Sequence, residues 1–290
     1  MRLVQNMKLV SYRHQGTVSC GRLIGDAISA LPSSYRSIRD VLEKGALDEL
    51  EAETADLTPT LTLSDVELLP VIPDPSKILC AGLNYRAHRD EAGRDASARP
   101  TIFLRVADSQ IGADSTVTVP PNVERFDYEG EMAVIIGREG SGVAVTDAME
   151  YVSGYACYND FSARDWQRHT GQWTPGKNFT GTGAFGPAMV TADEVGDHTK
   201  LTIETRVNGE VRQSATLADL IFTIPELIAY VSSFTTLRPG DVIVTGTPGG
   251  VGMFREPPEY LVGGEKVEVE ISKVGLLRTQ VVAAVTPAAD

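Results

Sequence analysis

Short apolar runs separated by turn-forming residues dominate the chain from residue 77 onward. Residues 78–81, 101–105, 129–136 and 155–158 are apolar or β-branched and too short for typical helices, which predicts strands. Residues 201–207 alternate in polarity and run into Asn208-Gly209, the dipeptide of a two-residue hairpin turn. Residues 242–245, 267–271 and 276–284 predict further strands, the last closing the sheet. One segment has helical spacing instead: Ile224, Leu227, Ile228, Val231 and Phe234 fall on one face. Thr223 and Glu226 have the spacing of a capping box ahead of it, and Arg238-Pro239-Gly240-Asp241 ends it.

Residues 1–70 read as a small N-terminal structural domain. It comprises strands over 7–13 and 20–26 and a helix over 37–51 with Ile38, Val41, Leu42 and Leu50 on one face. A polar stretch over 54–65 follows, and Val71-Ile72-Pro73-Asp74-Pro75 forms a stiff connector. Residues 71–290 then form the catalytic domain. Many strands, few helices and no fixed-period repeat predict an α+β, β-rich fold rather than regular βαβ alternation.

Charge and cysteines narrow the function. With a net charge of −13 over 290 residues, attraction to nucleic acid or an anionic membrane surface is not expected. Cys20, Cys80 and Cys157 are odd in number and widely spaced, which fits a reducing compartment without a disulfide framework or zinc ribbon. The N-terminus has no apolar run of signal length and no stretch reaches membrane-span length, so a cytoplasmic protein is expected.

The chemistry begins at Glu129-Gly130-Glu131. On a strand, side chains at i and i+2 share a face, so the two carboxylates stand side by side. Such a pair repels unless a proton or cation lies between them. A solvated acidic strand face is the bland alternative, but Asp160, at the end of another apolar run, offers a third carboxylate. Three carboxylates suit an octahedral hard cation, Mg²⁺ or Mn²⁺, and disfavour zinc. His88 and Glu91 lie three apart, side by side on a helical turn. There a carboxylate would raise the imidazole's basicity and make a water-activating dyad; a mere surface pair is the alternative. The small, polar residues 92–99 beyond them read as a mobile lid. Lys177, amid aromatic and turn residues, could hold an anionic oxygen, and the Gly-rich residues 245–252 could bind a carboxylate through backbone N–H groups and the Thr247 hydroxyl.

In this order the segments resemble the fumarylacetoacetate hydrolase family, in particular its small acylpyruvate-hydrolase-like branch. The matching stretches are Gly82-Leu83-Asn84-Tyr85 through Glu91, Tyr128-Glu129-Gly130-Glu131, Asn159-Asp160 through Gln167, and Gly176-Lys177-Asn178-Phe179. The resemblance covers residues 72–282. It implies a mixed β-sandwich roll, assembled as a homodimer, with Mg²⁺ or Mn²⁺ held by Glu129, Glu131 and Asp160. It also implies a lid dyad of His88 and Glu91, and an oxo-acid group held by Gln167, Lys177 and Thr247 with Arg164 close by. The activity it implies is hydrolytic cleavage of a C–C bond in an acylpyruvate or related β-diketo acid, as in aromatic catabolism. Oxaloacetate decarboxylation and 2-oxo acid hydration or isomerisation use the same metal-enolate chemistry and are the alternatives; a non-catalytic binding protein retaining the fold is a further one. Two residues depart from the family pattern. Arg105 replaces a common Lys, which would change how a substrate's far end is held. Asn84 stands where larger, animal-type members present a further acidic ligand.

Overall fold

A computed structural model describes residues 7–55 and 57–284; the ends of both expected domains, residues 1–6 and 285–290, lie outside them. Two sheets dominate. The larger has twelve strands, and its centre is the Gly130–Ile136 strand, paired antiparallel with Val152–Asp160 on one side and Val242–Val244 on the other. Beyond Val242–Val244 lie Ile78–Gly82, parallel to it, and then Thr101–Arg105 at the edge. The smaller sheet has five strands in the order Glu210–Thr216, Thr202–Val207, Lys266–Ile271, Gly275–Val282, Ser115–Thr118.

Strand parity divides the core. Met132, Val134 and Ile136 face the smaller sheet and pack with Ile203, Val269, Ile271 and Leu277. Ala133 and Ile135 face the opposite way and pack with Ile38, Val41, Leu42 and Leu50 of the N-terminal segment. Every residue of the strand is buried, so it reads as a continuous apolar run rather than an alternating one. Glu129 and Glu131 share the parity of Ala133 and Ile135, which places both at one end of the helix-covered face.

The N-terminal residues 8–30 form three antiparallel strands, and Lys8–His14 also pairs with Gly183–Thr191. The segment expected as a small domain is thus joined edge to edge with the main sheet and shares a core cluster with it. Its expected single helix is two, Ile38–Glu43 and Leu47–Thr54. Gly45 separates them at φ 63°, a left-handed conformation that glycine adopts without a Cβ clash. The other local signals hold. Asn208 and Gly209 both have positive φ, as a type I′ turn requires. Thr223 and Glu226 close a reciprocal capping box on the Ile224–Ser232 helix.

One central strand, Gly183–Thr191, is absent from the expectation. Its Pro187 lacks an N–H and breaks the strand pattern; it is accommodated where the register with Val152–Asp160 shifts. Among the described residues, no helix is long and apolar enough to cross a membrane.

Candidate active site

The pairing register assembles three carboxylates. Gly130 lies opposite Asn159, and the Asp160 N–H donates to the Glu129 carbonyl at 2.8 Å, so Asp160 emerges beside the Glu129–Glu131 pair. The Asn159 carboxamide accepts from the Glu129 N–H at 3.0 Å and fixes the chain where the strand begins. One carboxylate oxygen from each of Glu129, Glu131 and Asp160 lies within 4.8 Å of the others, and all three residues are buried. Gly130 between them has no substitute: a Cβ there would lie 2.0 Å from Thr205 Oγ1 on the smaller sheet.

Three cations meet this cluster. Lys177 Nζ donates to Glu129 Oε2 and Asp160 Oδ2, both at 2.6 Å. Arg164 Nη1 donates to Glu129 Oε1 at 2.6 Å, while its Nε donates to Asp127 Oδ2 at 2.9 Å. Arg105 donates to Asp160, Thr182 and the Phe161 carbonyl. Counting Asp127, four carboxylates face three cations, which leaves one negative charge uncompensated. It belongs to Glu131, whose hydrogen-bond donor is the Gly246 N–H at 2.6 Å. Burial, with Asp160 and Glu129 alongside, pushes the Glu131 carboxyl well above the usual carboxylate range. Burial also raises that of Glu129, but Arg164 and Lys177 outweigh it and hold the group below that range. Burial opposes the charge on Lys177, yet Asp160 and Glu129 offset this and raise its pKa.

A divalent cation fits this donor set. The oxygens are hard, anionic and convergent, and one negative charge lacks a partner. With such an ion the cluster would become positive by one, suited to an anionic ligand.

Glu129 and Glu131 of this cluster line a cavity of about 120 Å³. His88 and Thr247 line it, with Arg164, Gln167 and Lys177. His88 Nδ1 and Glu91 Oε1 are 2.7 Å apart on the Arg86–Glu91 helix, the side-by-side placement that their i, i+3 spacing predicts. The Gly250 N–H donates to Glu91 Oε2 at 2.8 Å, fixing the dyad against the opposite loop. Gln167 accepts from Arg164 Nη1 at 3.2 Å. Arg164 Nη2 is buried with no hydrogen-bond partner, leaving a donor for a ligand.

Three expectations change on contact with the geometry. The Thr247 hydroxyl donates to the Gly130 carbonyl at 2.9 Å and accepts from Gln213 at 2.7 Å, so its proton is committed within the protein. The Gly-rich loop does bind carboxylates through backbone N–H groups, but they are the protein's own: Gly246 holds Glu131, Gly250 holds Glu91, and Gly252 holds Asp127. Arg105 lies fully buried behind Asp160 instead of reaching toward a substrate's far end. Asn84, for its part, ties the Phe222 backbone to the Thr245 carbonyl.

Sequence reasoning gave no role to Asp127 or Gln213. Asp127 accepts from the Tyr128, Gly252 and Met253 N–H groups and from Arg164, so it joins the cavity loop to the arginine. Gln213 accepts from the Gly130 N–H at 3.0 Å and donates to Thr247 and the Pro248 carbonyl. Asp127 is adjacent to the Glu129–Glu131 motif, a signal that could have singled it out. Gln213 comes from the smaller sheet and has no such signal.

Comparison with known proteins agrees with this geometry. The family model described as fumarylacetoacetate (FAA) hydrolase C-terminal matches residues 77–282. The chain is 39% identical over 289 residues to the rat protein named oxaloacetate tautomerase Fahd2a, mitochondrial, covering 96% of this chain and 92% of that one. Among solved structures, a fumarylacetoacetate hydrolase from Exiguobacterium antarcticum superposes with a TM-score of 0.85 at 31% identity, covering 96% of this chain and all (100%) of that one. Maleylpyruvate hydrolase from Sphingobium, solved with manganese(II) and pyruvate, gives 0.81 at 29% identity, covering 96% and 100%. The register-built carboxylate triad thus sits in a fold shared across these proteins, and the chain belongs to the fumarylacetoacetate hydrolase family.

Proposed function

We propose that the protein is a divalent-metal-dependent enzyme that acts on 2-oxo acids through their enol form, with keto–enol tautomerisation of oxaloacetate as its leading reaction. The observation that supports it most is the buried Glu129–Glu131–Asp160 triad, two of whose carboxylates, Glu129 and Glu131, line a cavity that also presents His88 and Arg164. The rat relative is named for oxaloacetate tautomerisation, and the Sphingobium structure holds manganese with pyruvate, a 2-oxo acid. Mg²⁺ or Mn²⁺ held by Glu129, Glu131 and Asp160 would supply Lewis-acid stabilisation of the negative charge that develops on the 2-oxygen.

The chain's own groups supply binding and proton transfer. Arg164, with its unpartnered Nη2, receives the substrate's anionic end, and Gln167 beside it offers amide donors. Lys177 holds Glu129 and Asp160 together, keeping two like charges close at a modest cost. Glu91 engages His88 at Nδ1 and leaves Nε2 to exchange a proton with the substrate. In tautomerisation a base takes the enol O–H proton and C3 receives one, so no water is consumed.

The His88–Glu91 pair also supports a second reading, C–C bond hydrolysis of an acylpyruvate, in which the imidazole deprotonates a water instead. Assaying enol-oxaloacetate, acetylpyruvate and fumarylpyruvate side by side, with Mn²⁺ and with EDTA, separates the readings. Metal-dependent conversion of oxaloacetate alone supports the tautomerase. Cleavage of the diketo acids supports the hydrolase, and turnover indifferent to EDTA contradicts both.

A further inference from the structure

Of the three buried cations around the carboxylates, Arg164 and Lys177 line the cavity and Arg105 does not. Four acceptors fix Arg105 behind Asp160. Its Nη1 donates to Asp160 Oδ1 and, at 3.3 Å, to the Phe161 carbonyl. Its Nη2 donates to Thr182 Oγ1 at 2.8 Å and its Nε to Ser109 Oγ at 3.3 Å. Both hydroxyls give their own protons to carbonyls, of Phe179 and Val106, so toward the arginine they act only as acceptors. Ser109 also accepts from Gln110 Nε2 at 2.7 Å, and Gln110 Oε1 accepts from the Tyr158 hydroxyl at 2.6 Å. Tyr158 and Asp160 are i, i+2 on the Val152–Asp160 strand, so this polar chain leaves the strand and returns to it. A planar fork with donors in fixed directions closes such a chain; a single ammonium does not.

The acceptor side shows what this fork withholds from an ion. Both oxygens of Asp160 accept from cations, Oδ1 from Arg105 and Oδ2 from Lys177. Lys177 is a compact donor on a flexible stem and can share or yield Oδ2. Arg105, held by three further acceptors, keeps Oδ1. Asp160 therefore presents an ion with one oxygen rather than a chelating pair. Mg²⁺ and Mn²⁺ suit single oxygens in a near-octahedral shell, whereas Ca²⁺ takes roughly six to eight ligands and readily binds a carboxylate through both oxygens.

We propose that Arg105 is a positioning residue that sets the metal selectivity of the site: by committing one oxygen of Asp160, it admits a small octahedral cation such as Mn²⁺ and discriminates against Ca²⁺. This rests on the reading of Glu129, Glu131 and Asp160 as metal ligands. Arg105 acts through Asp160 alone and meets neither the ion nor the substrate.

Calorimetric titration of the metal-free, full-length protein with Mn²⁺ and with Ca²⁺, no substrate present, tests it. The two ions carry the same charge, so a change in the charge of the site acts on both and cancels in the ratio of their affinities. The unmodified protein should bind Mn²⁺ at least about tenfold more tightly than Ca²⁺, the value of one charge-assisted hydrogen bond that Ca²⁺ would have to break. Arg105→Lys keeps the charge and introduces the residue common in the family, but loses the fork; it should lower the ratio by about tenfold. Arg105→Met, if it folds, should lower it at least as far. A fall of less than about threefold in either variant overturns the proposal, because loosened packing alone weakens Mn²⁺ and Ca²⁺ alike. Equal affinities in the unmodified protein overturn it as well. Absence of any Mn²⁺ binding refutes the metal site and the proposal together, whereas Mn²⁺ binding with an unmoved ratio refutes the role of Arg105 alone.

Discussion

Replacing Glu131 with Gln should make the metal-free protein more stable, by an amount that grows with pH. Glu131 is the surplus charge of a buried cluster in which four carboxylates meet three cations, and its donor is the Gly246 N–H. Burial and the neighbouring Asp160 and Glu129 raise its carboxyl well above the ordinary value of 4.5, so the folded chain keeps a proton that the unfolded chain releases. The native state then binds more protons than the unfolded state, and stability falls as pH rises from the unfolded value toward the folded one. While only the folded chain holds the proton, the slope approaches its one-proton limit, on the order of 1 kcal/mol per pH unit. The amide has no such proton to lose, and its carbonyl can still accept from Gly246. Urea denaturation in EDTA, run from about pH 5 to about pH 7, should show the wild type losing stability relative to Glu131→Gln with that slope. Adding Mn²⁺ should restore the wild type, because binding to the ionised carboxylate stabilises the folded state, and should do much less for the variant. Parallel pH profiles for the two metal-free proteins would refute the charge argument.

Asp127→Asn removes a buried charge that accepts four hydrogen bonds and sets its amide against N–H donors. Breaking such a pairing should destabilise the protein by roughly 3–5 kcal/mol in chemical denaturation; a loss below about 1 kcal/mol would show that the network contributes little. His88→Asn should lower kcat by about 10²–10⁴, the usual contribution of a positioned acid–base group, while calorimetric Mn²⁺ affinity stays near wild type; equal loss of both would make His88 part of the metal site instead. Gly82→Ala should disturb the cavity wall, since a Cβ there would lie 2.2 Å from the Trp173 ring. The expected signs are an altered tryptophan emission and a raised KM, and an unchanged KM would mean that Trp173 does not bound the substrate.

Much of the site was legible because its geometry is local. The i, i+2 spacing of Glu129 and Glu131 needs a strand to share a face, and the apolar run behind them identifies one. The i, i+3 spacing of His88 and Glu91 needs one helical turn, and the Arg86–Glu91 helix supplies it. Asp160 was legible as a strand end, but its place beside Glu129 depends on antiparallel register, which no local pattern encodes. The losses share that cause. Arg105 lies in a recognisable strand, yet which way its side chain runs depends on Thr182 and Asp160, residues distant in sequence. The backbone donors of residues 246–252 looked available because the carboxylates that occupy them, Glu91, Asp127 and Glu131, come from other segments. The Gly183–Thr191 strand was hidden by its own proline, and the helix over 37–51 was overextended because its apolar face continues past Gly45.

In the function proposed above, the three carboxylates hold the cation on which an oxo acid is bound. Crystals grown with Mn²⁺ and oxalate, examined for anomalous scattering, test it most directly. One strong peak is expected, ligated by Glu129, Glu131 and Asp160 at roughly 2.0–2.2 Å, with oxalate completing the shell and reaching Arg164. Full manganese occupancy elsewhere, or oxalate bound with no metal at the triad, would contradict it.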